Sequence, residues 1–197
     1  TRIHYNTRSN HRGQTLDNLK IEKSIYSITM YGSNPVIHNI TILNPDRVGI
    51  DLFSSSSPQI YDLVIDQAGR FLPFQNDWRY GLGLSVGSGS TPLVDGATFT
   101  DHLTRAINIW GGSGGVFRNL VMSNISGSSW VVSAGAGVGD SQPLLTDLSV
   151  DPAAHGMVVL SSRLSQNLAY RLRHAHKRPG QVQSPSQIHT QYQSLMN

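Results

Sequence analysis

The sequence predicts an all-β protein that folds as a right-handed parallel β-helix of about six rungs. Two observations lead to this prediction: an eight-residue pattern recurs six times along the chain, and a short segment of alternating apolar residues precedes five of the six copies. Repeats at intervals of roughly 20 to 50 residues are typical of solenoids, in which each unit completes its core by stacking on its neighbours.

The eight-residue pattern predicts one strand of each rung. Each copy opens with Pro, Gly or Gln, has Asn, Asp or Gly at its fifth position, and in nearly every case has apolar residues at its third, sixth and eighth positions. The apolar positions predict the side that faces the core. The copies begin at Gln14, Pro35, Pro58, Pro92, Gly115 and Pro143.

The alternating segments predict a second, shorter strand. They read SITMYG, VGIDLFS, GLGLSVG, AINIWG and WVVSAG, and GMVVLS follows the last copy of the pattern. A two-residue period is typical of a strand with one buried face, and successive rungs should stack at the usual strand spacing of about 4.8 Å. We align the segments at Ile28, Ile50, Leu82, Ile107, Val131 and Met157.

The main alternative is a leucine-rich repeat, whose period overlaps with this one. Such repeats need helical or compact segments between their strands. Here the connections read SSSSP, GSGSTP and GGSGG, which are turn sequences. The β-helix is therefore favoured over the leucine-rich repeat, and over a sandwich of antiparallel hairpins.

The alignment also predicts which side chains point outward. If residues such as Ile28 and Met30 face the core, the alternate positions face solvent. Two outward columns then run along the stack: a polar one of Thr29, Asp51, Gly83 and Asn108, and a largely aromatic one of Tyr31, Phe53, Ser85 and Trp110.

Composition and charge divide the 197 residues into a β-helix over 1–162 and a basic, Gln/Ser-rich tail or cap over 163–197. The net charge is +3, but five basic residues lie in the tail and no acidic residue follows Asp151. The tail is expected to be disordered or held by a partner, and a nucleic-acid role is disfavoured. No apolar run approaches the roughly 20 residues of a membrane span, and the absence of Cys leaves the redox compartment open.

Three passages resemble the pectin-lyase-like β-helix proteins, and most closely the polygalacturonase-type glycoside hydrolases: HNITILNPDRVGID, GLGLSVGSGS and AINIWGGSGGVFRNLVMSNI. The resemblance covers roughly residues 27–126 and implies a polysaccharide substrate. Most of the family's catalytic signature is absent, because its paired aspartates have no counterpart and Tyr80 stands where its active-site histidine would be. Only Asp46 and Asp51 can be carried over as catalytic residues.

The loops that lead into the short strands hold the other candidate catalytic residues. We expect three sets to stack on successive rungs, where carboxylates would lie about 5 or 10 Å apart and so bracket the separations in retaining and inverting glycosidases. A lyase would instead use Arg79 or Arg105 as the base, with Asp77 and Asp101 binding Ca²⁺; a hydrolase needs no cofactor. The alternative is that these side chains cap turns and pair with one another. The sets are Asp46 with Arg47, Asp77 with Arg79, and Asp101 with His102 and Arg105.

The longest rung is the strongest candidate for a binding face. Its loop over 70–80 adds roughly ten residues, and insertions in solenoids map to one face, often the binding face. Aromatic side chains outside the core are good stacking platforms for sugar rings. Phe71 and Phe74 of this loop could instead fold back as a lid. The predicted substrate-binding residues are Trp78, Tyr80, Trp110, Phe53, Tyr31 and Asn108, and no metal site is predicted.

Two functions therefore compete. The first is an extracellular enzyme that cleaves a polysaccharide, as a glycoside hydrolase or a lyase. The second is a non-catalytic glycan-binding adhesin, spike or structural β-helix fragment. Both predict a polysaccharide or glycan partner and a secreted or cell-surface location, and a homotrimer or a larger parent chain is compatible with either.

Overall fold

The structure is a computed structural model, which describes residues 3–6, 14–70, 80–125, 130–134, 136–137, 139–150, 157–160 and 172–173. Strands, turns and bends make up these ranges, and no helix occurs within them. Two parallel sheets of seven strands each run through the molecule. The chain enters the two sheets alternately, so the predicted parallel β-helix is confirmed.

The first sheet holds the short strands that precede the eight-residue pattern. In order across the sheet these are β1 (Ile3–Asn6), β3 (Tyr26–Tyr31), β5 (Val48–Phe53), β7 (Leu82–Val86), β9 (Arg105–Ile109), β11 (Trp130–Ala134) and β15 (Met157–Leu160). Strand β1 pairs with β3 and adds a first, partial rung to the stack.

The second sheet holds the strands of the eight-residue pattern. In order these are β2 (Thr15–Glu22), β4 (Val36–Leu43), β6 (Gln59–Asp66), β8 (Leu93–Thr100), β10 (Gly114–Ser123), β14 (Gln142–Val150) and β16 (Leu172–Arg173). A two-stranded antiparallel ribbon joins β12 (Ala136–Gly137) to β13 (Gly139–Asp140). Strand β16 is the part of the predicted tail that the structure describes, and it pairs with β14.

The fifth position of the pattern bends each strand of the second sheet. Its residues have φ values from 48° to 77°, in the left-handed region that is open to Gly and, among other residues, is best tolerated by Asn and Asp. The bend explains why these residue types recur at this position. The bending residues are Asn18, Asn39, Asp62, Gly96, Asn119 and Asp147.

The core lies between the two sheets. In the second sheet the third, sixth and eighth positions of the pattern supply it, as in Ile60, Leu63 and Ile65, which are fully buried or nearly so. The first sheet contributes pairs such as Ile50 and Leu52. The predicted inward positions are therefore correct, and only the outermost copies leave theirs partly exposed.

A ladder of buried serines holds the turns between the sheets. The Ser56 hydroxyl donates to Phe53 O at 2.7 Å and accepts from the Ser33 N–H at 3.2 Å, while the Ser90 hydroxyl donates to Gly87 O at 2.7 Å and accepts from the Ser56 N–H at 3.1 Å. Each hydroxyl thus satisfies one main-chain group in its own rung and one in the preceding rung.

The register of the first sheet differs from the predicted alignment. Ile50 pairs with Leu84, which in turn pairs with Ile107, whereas Leu82 pairs with Val48 and Arg105. The aligned residue in β11 is Val132, and that in β15 is Val158. Because side chains alternate with a period of two, a shift from Leu82 to Leu84 preserves the apolar pattern, and the sequence alone does not distinguish the two registers.

Candidate functional site

The outer face of the first sheet carries three columns of side chains. The corrected register puts Ser85, not Gly83, in the polar column, and Gly87, not Ser85, in the aromatic column. The columns are the polar column of Thr29, Asp51, Ser85 and Asn108, the aromatic column of Tyr31, Phe53, Gly87 and Trp110, and a flanking column of Tyr26, Val48, Leu82 and Arg105.

The aromatic column is continuous across the gap at Gly87. The rings of Tyr31 and Phe53 stack with their centroids 5.3 Å apart and their planes at 17°. The indole of Trp110 reaches back over Gly87 and meets Phe53 edge-on, at 6.0 Å and 74°. Tyr31 is 42% exposed, while Phe53 and Trp110 are partly buried. Three of the predicted binding aromatics are therefore brought together.

The indole of Trp110 lies flat on the sheet. A Cβ atom built on Gly87 would lie 2.3, 2.4 and 2.8 Å from the Cε2, Cζ2 and Nε1 atoms of Trp110. The ring therefore covers the glycine main chain, and its opposite face is directed away from the sheet. The Nε1–H group donates to the Ser85 hydroxyl at 3.4 Å, which ties the ring to the polar column.

The polar column is enclosed, and the expectation that it faces solvent is wrong. Its four residues expose between 0 and 6% of their surfaces. The physical reason lies in side-chain size, because this column of short side chains runs between two columns that include Tyr, Phe, Trp, Leu and Arg. Asp51, which is 1% exposed, therefore does not meet solvent on this face.

Arg105 borders the polar column and is half-buried. Its Nη1 donates to Asn108 Oδ1 at 3.3 Å, and burial lowers its pKa. Within the part of the chain that the structure describes, the Nε of Arg105 and the Oγ1 of Thr29 are buried without a hydrogen-bond partner. A buried water could satisfy these two polar atoms.

Asp46 and Tyr80 lie beneath the turns and not on the outer face. Tyr80 is fully buried, and burial together with its hydrogen bond to Asp46 raises the pKa of Tyr80 to about 12. Tyr80 is therefore a buried partner of a carboxylate, and it is not the exposed platform that the sequence suggested. Close by, a Cβ on Gly69 would lie 2.8 Å from Gly81 Cα, so the loop over 70–80 begins and ends at nearly the same point.

His102 is enclosed in the interior. Its Nε2 lies 3.0 Å from Ile65 O and its Nδ1 lies 3.2 Å from Arg105 O, while its ring meets Phe99 edge-on. Burial lowers the pKa of His102. With both nitrogens directed at main-chain carbonyls, the ring joins two rungs, and it does not reach a substrate on the outer face.

Asp101 lies close enough to Asp66 for the charges of the two carboxylates to interact. Asp101 adopts a φ of 56°, accepts a hydrogen bond from the Asn124 amide, and receives the Arg70 Nε–H on its main-chain oxygen at 3.3 Å. Burial and the nearby charge of Asp101 raise the pKa of Asp66. The expected stack of Asp46 with Asp101 is wrong, because the Asp101 N–H bonds to Ser123 while the Asp46 N–H bonds to Ser24, so the two occupy different turn positions.

The comparison with known families agrees with this architecture. Residues 2–126 match the model of a family described as a right-handed beta helix region. The chain belongs to the right-handed β-helix family. No curated protein and no solved structure matches its sequence.

Several predicted residues of this β-helix lie outside the described residues. They are the long-rung residues Asp77, Trp78 and Arg79, together with Phe71 and Phe74. In the described ranges, no three His, Cys, Asp or Glu side chains are grouped so that they could hold a metal ion. The same ranges contain no helix that is long and apolar enough to span a membrane.

Sequence reasoning missed Gly87 and Asp66 as residues of interest in the β-helix. Gly87 precedes a Ser-Gly turn and was assigned to that turn. Asp66 ends a copy of the pattern. The signal that could have singled it out is its pairing on the next rung with Thr100, the residue before Asp101.

Proposed function

We propose that this β-helix binds a polysaccharide along the outer face of its first sheet, with the indole of Trp110 as the principal contact. The observation that carries the proposal is the orientation of that ring, which lies over Gly87 with one face directed outward. Aromatic rings offer sugar rings a large, rigid and amphipathic contact, and they lose little conformational entropy on binding.

The neighbouring side chains support the same role. Tyr31 and Phe53 extend the apolar surface along the axis of the solenoid, as a linear chain of sugar rings would need. Arg105 lies across the polar column from Trp110, is half-buried, and carries a guanidinium group of the kind that binds sugar hydroxyls. Because the polar column is enclosed, the ligand would lie over the aromatic column.

Affinity electrophoresis through gels containing hydroxyethyl cellulose, arabinoxylan, galactomannan or polygalacturonate tests the proposal. We expect at least one polysaccharide to retard the wild-type chain and Trp110→Ala to reduce its affinity by about tenfold or more, as for other central aromatic contacts. Tyr61→Ala is the matched control, because Tyr61 is an outward aromatic of the second sheet, stacked on His38 at 4.8 Å. The proposal fails if no polysaccharide retards the protein, or if both variants bind as the wild type does.

A second candidate function is polysaccharide cleavage, which the pairing of Asp66 with Asp101 favours. Interacting carboxylates whose environments differ can divide the roles of acid and base between them, and the raised pKa of Asp66 suits a proton donor. Arg70 lies beside the same pair. Asp51 is enclosed and Asp46 is bonded to Tyr80, so neither carboxylate is placed to reach a polysaccharide bound on the outer face.

Product assays on the same four polysaccharides test cleavage. New reducing ends that are lost in Asp66→Asn and in Asp101→Asn would support a hydrolase, and unsaturated products would support a lyase. If no product forms with any of them, the role is binding only, as in an adhesin or spike. Either role implies a location outside the cell or at its surface, which fractionation of the source cells would test.

A further inference from the structure

We infer that Gly87 is the positioning residue of the glycan site, because the absence of a side chain there lets the indole of Trp110 lie flat and present one face to the ligand. This inference rests on the proposed function. It assigns a role in recognition to a residue that makes no contact of its own with the ligand.

The backbone does not require glycine at position 87. Gly89 and Gly111, in the adjoining turns, have φ values of +74° and +63°, where a side chain would be strained. Gly87 shows no such conformation, so its main chain would accept any L residue. The atoms that exclude a side chain belong to the indole, at 2.3 to 2.8 Å from the ideal Cβ position.

The same column shows the arrangement that a side chain would impose. Tyr31 and Phe53, on adjacent strands, stack against each other with their planes at 17°. Each ring thereby covers a face of the next one. A side chain at position 87 would continue that stack and lift Trp110 away from the sheet.

The gap at Gly87 changes the orientation of the last ring. Trp110 lies across the column, with its plane at 74° to that of Phe53 and its Nε1–H held by Ser85. The ring face that is turned away from Gly87 is apolar. Such a face suits a pyranose ring whose hydroxyls are equatorial, since that ring presents C–H bonds on one face and keeps its hydroxyls at the rim.

A double-mutant cycle on positions 87 and 110 tests the inference, with affinity electrophoresis in hydroxyethyl cellulose, arabinoxylan, galactomannan and polygalacturonate as the readout. We expect Gly87→Ala to weaken retention by about tenfold, close to the effect of Trp110→Ala. Adding Gly87→Ala to Trp110→Ala should change retention by less than about twofold, since residues that act through one contact are not additive.

The near-UV circular dichroism and tryptophan emission spectra of the folded protein would not change with a general loss of stability. Gly87→Ala should alter both spectra at temperatures where the protein is folded, and the difference should vanish in a Trp110→Phe background. Ser85→Ala, which removes only the hydrogen bond to the indole, should weaken retention by about two- to threefold, and it provides a second test if Gly87→Ala does not fold.

The outcomes separate this inference from the proposed function. If Trp110→Ala loses retention while Gly87→Ala binds as the wild type does, the glycan site stands and the role of Gly87 is overturned. If Gly87→Ala shifts the spectra and the wild type is retained by no polysaccharide, the geometry stands and the proposed function fails. Equal loss in Gly87→Ala and Trp110→Ala, with spectra unchanged, would also overturn the inference.

Discussion

The outer faces of the two sheets of this β-helix differ in their exposure to solvent. Strand β6 of the second sheet alternates between buried and exposed residues, and Val64 on its outer side is 36% exposed. Strand β7 of the first sheet is buried at all five of its positions, including Ser85 of the outward polar column. The direction of a side chain therefore does not decide by itself whether it meets solvent, because its neighbours can enclose it.

The interactions on the two outer faces differ accordingly. In the first sheet the outward groups pack on one another, as in the contact of Trp110 with Phe53 and Ser85. In the second sheet they form exposed pairs, such as the ion pair of Arg118 with Asp95 at 2.7 Å. The first sheet should therefore be sensitive to substitution on both faces, and the second on one face only.

The largest effect is expected for Gly83→Ala in the first sheet. The added methyl would lie 2.4 Å from His102 Cε1, 2.6 Å from Ala106 O and 2.6 Å from Phe99 Cδ1, and main-chain atoms cannot move aside easily. We expect a loss of about 3 kcal/mol or more in the free energy of unfolding, measured by urea denaturation. Thr41→Ile on the outer face of the second sheet is the control, with an expected change within about 0.5 kcal/mol. Equal losses would show that the interior beside Gly83 can relax around an added methyl group.

The serine ladder gives the next largest effect. Ser56→Ala removes the hydroxyl that accepts from the Ser33 N–H, while Phe53 O still accepts from the Gly32 N–H at 3.1 Å. The expected loss of unfolding free energy is about 1–3 kcal/mol. Ser57→Ala is the matched control, because the Ser57 hydroxyl makes an exposed bond to Thr91, and it should change stability little. A small effect of Ser56→Ala would show that another group satisfies the Ser33 N–H.

Protonation of His102 makes the free energy of unfolding depend on pH. Burial lowers its pKa below the ordinary value of 6.5 in the folded chain, so the unfolded state binds the proton more readily. Its contribution is complete above about pH 6.5 and declines as the pH falls below that value, at most by about 1.4 kcal/mol per pH unit for one proton.

Urea denaturation at pH 5 and pH 8 measures this dependence. The wild-type chain should be less stable at pH 5, and the difference should shrink in His102→Gln. His38→Gln is the control, because His38 lies on the outer face of the second sheet against Tyr61. An unchanged pH dependence in His102→Gln would show that another group is responsible.

The sequence predicted the second sheet closely because its pattern contains three kinds of signal at once. Apolar residues mark the inward positions, Pro marks the start, and Asn or Asp marks the left-handed bend, as at Asn39 and Asp62. A shift of even one residue would break all three. The residue types within each strand therefore determine the register of the second sheet.

The first sheet has only the alternation, and its register could not be predicted to the residue. Leu82 and Leu84 satisfy that pattern equally, and the choice between them depends on pairing across rungs. The enclosure of Asp51 and the position of Trp110 over Gly87 depend in turn on that choice. His102 was misjudged for a related reason, since a histidine in a loop gives no sign of the carbonyls that surround it.

The smallest effect concerns the exposed pair on the second sheet. Asp95 accepts hydrogen bonds from Arg118 and Asn119, each at 2.7 Å, and these groups lower its pKa. Because solvent screens such pairs, a double-mutant cycle with Asp95→Ala and Arg118→Ala should give a weak coupling that falls as salt is added. A strong coupling that persists at high salt would mean that the outer face of the second sheet is as constrained as that of the first. The distinction between the two sheets would then rest on exposure alone and not on energy.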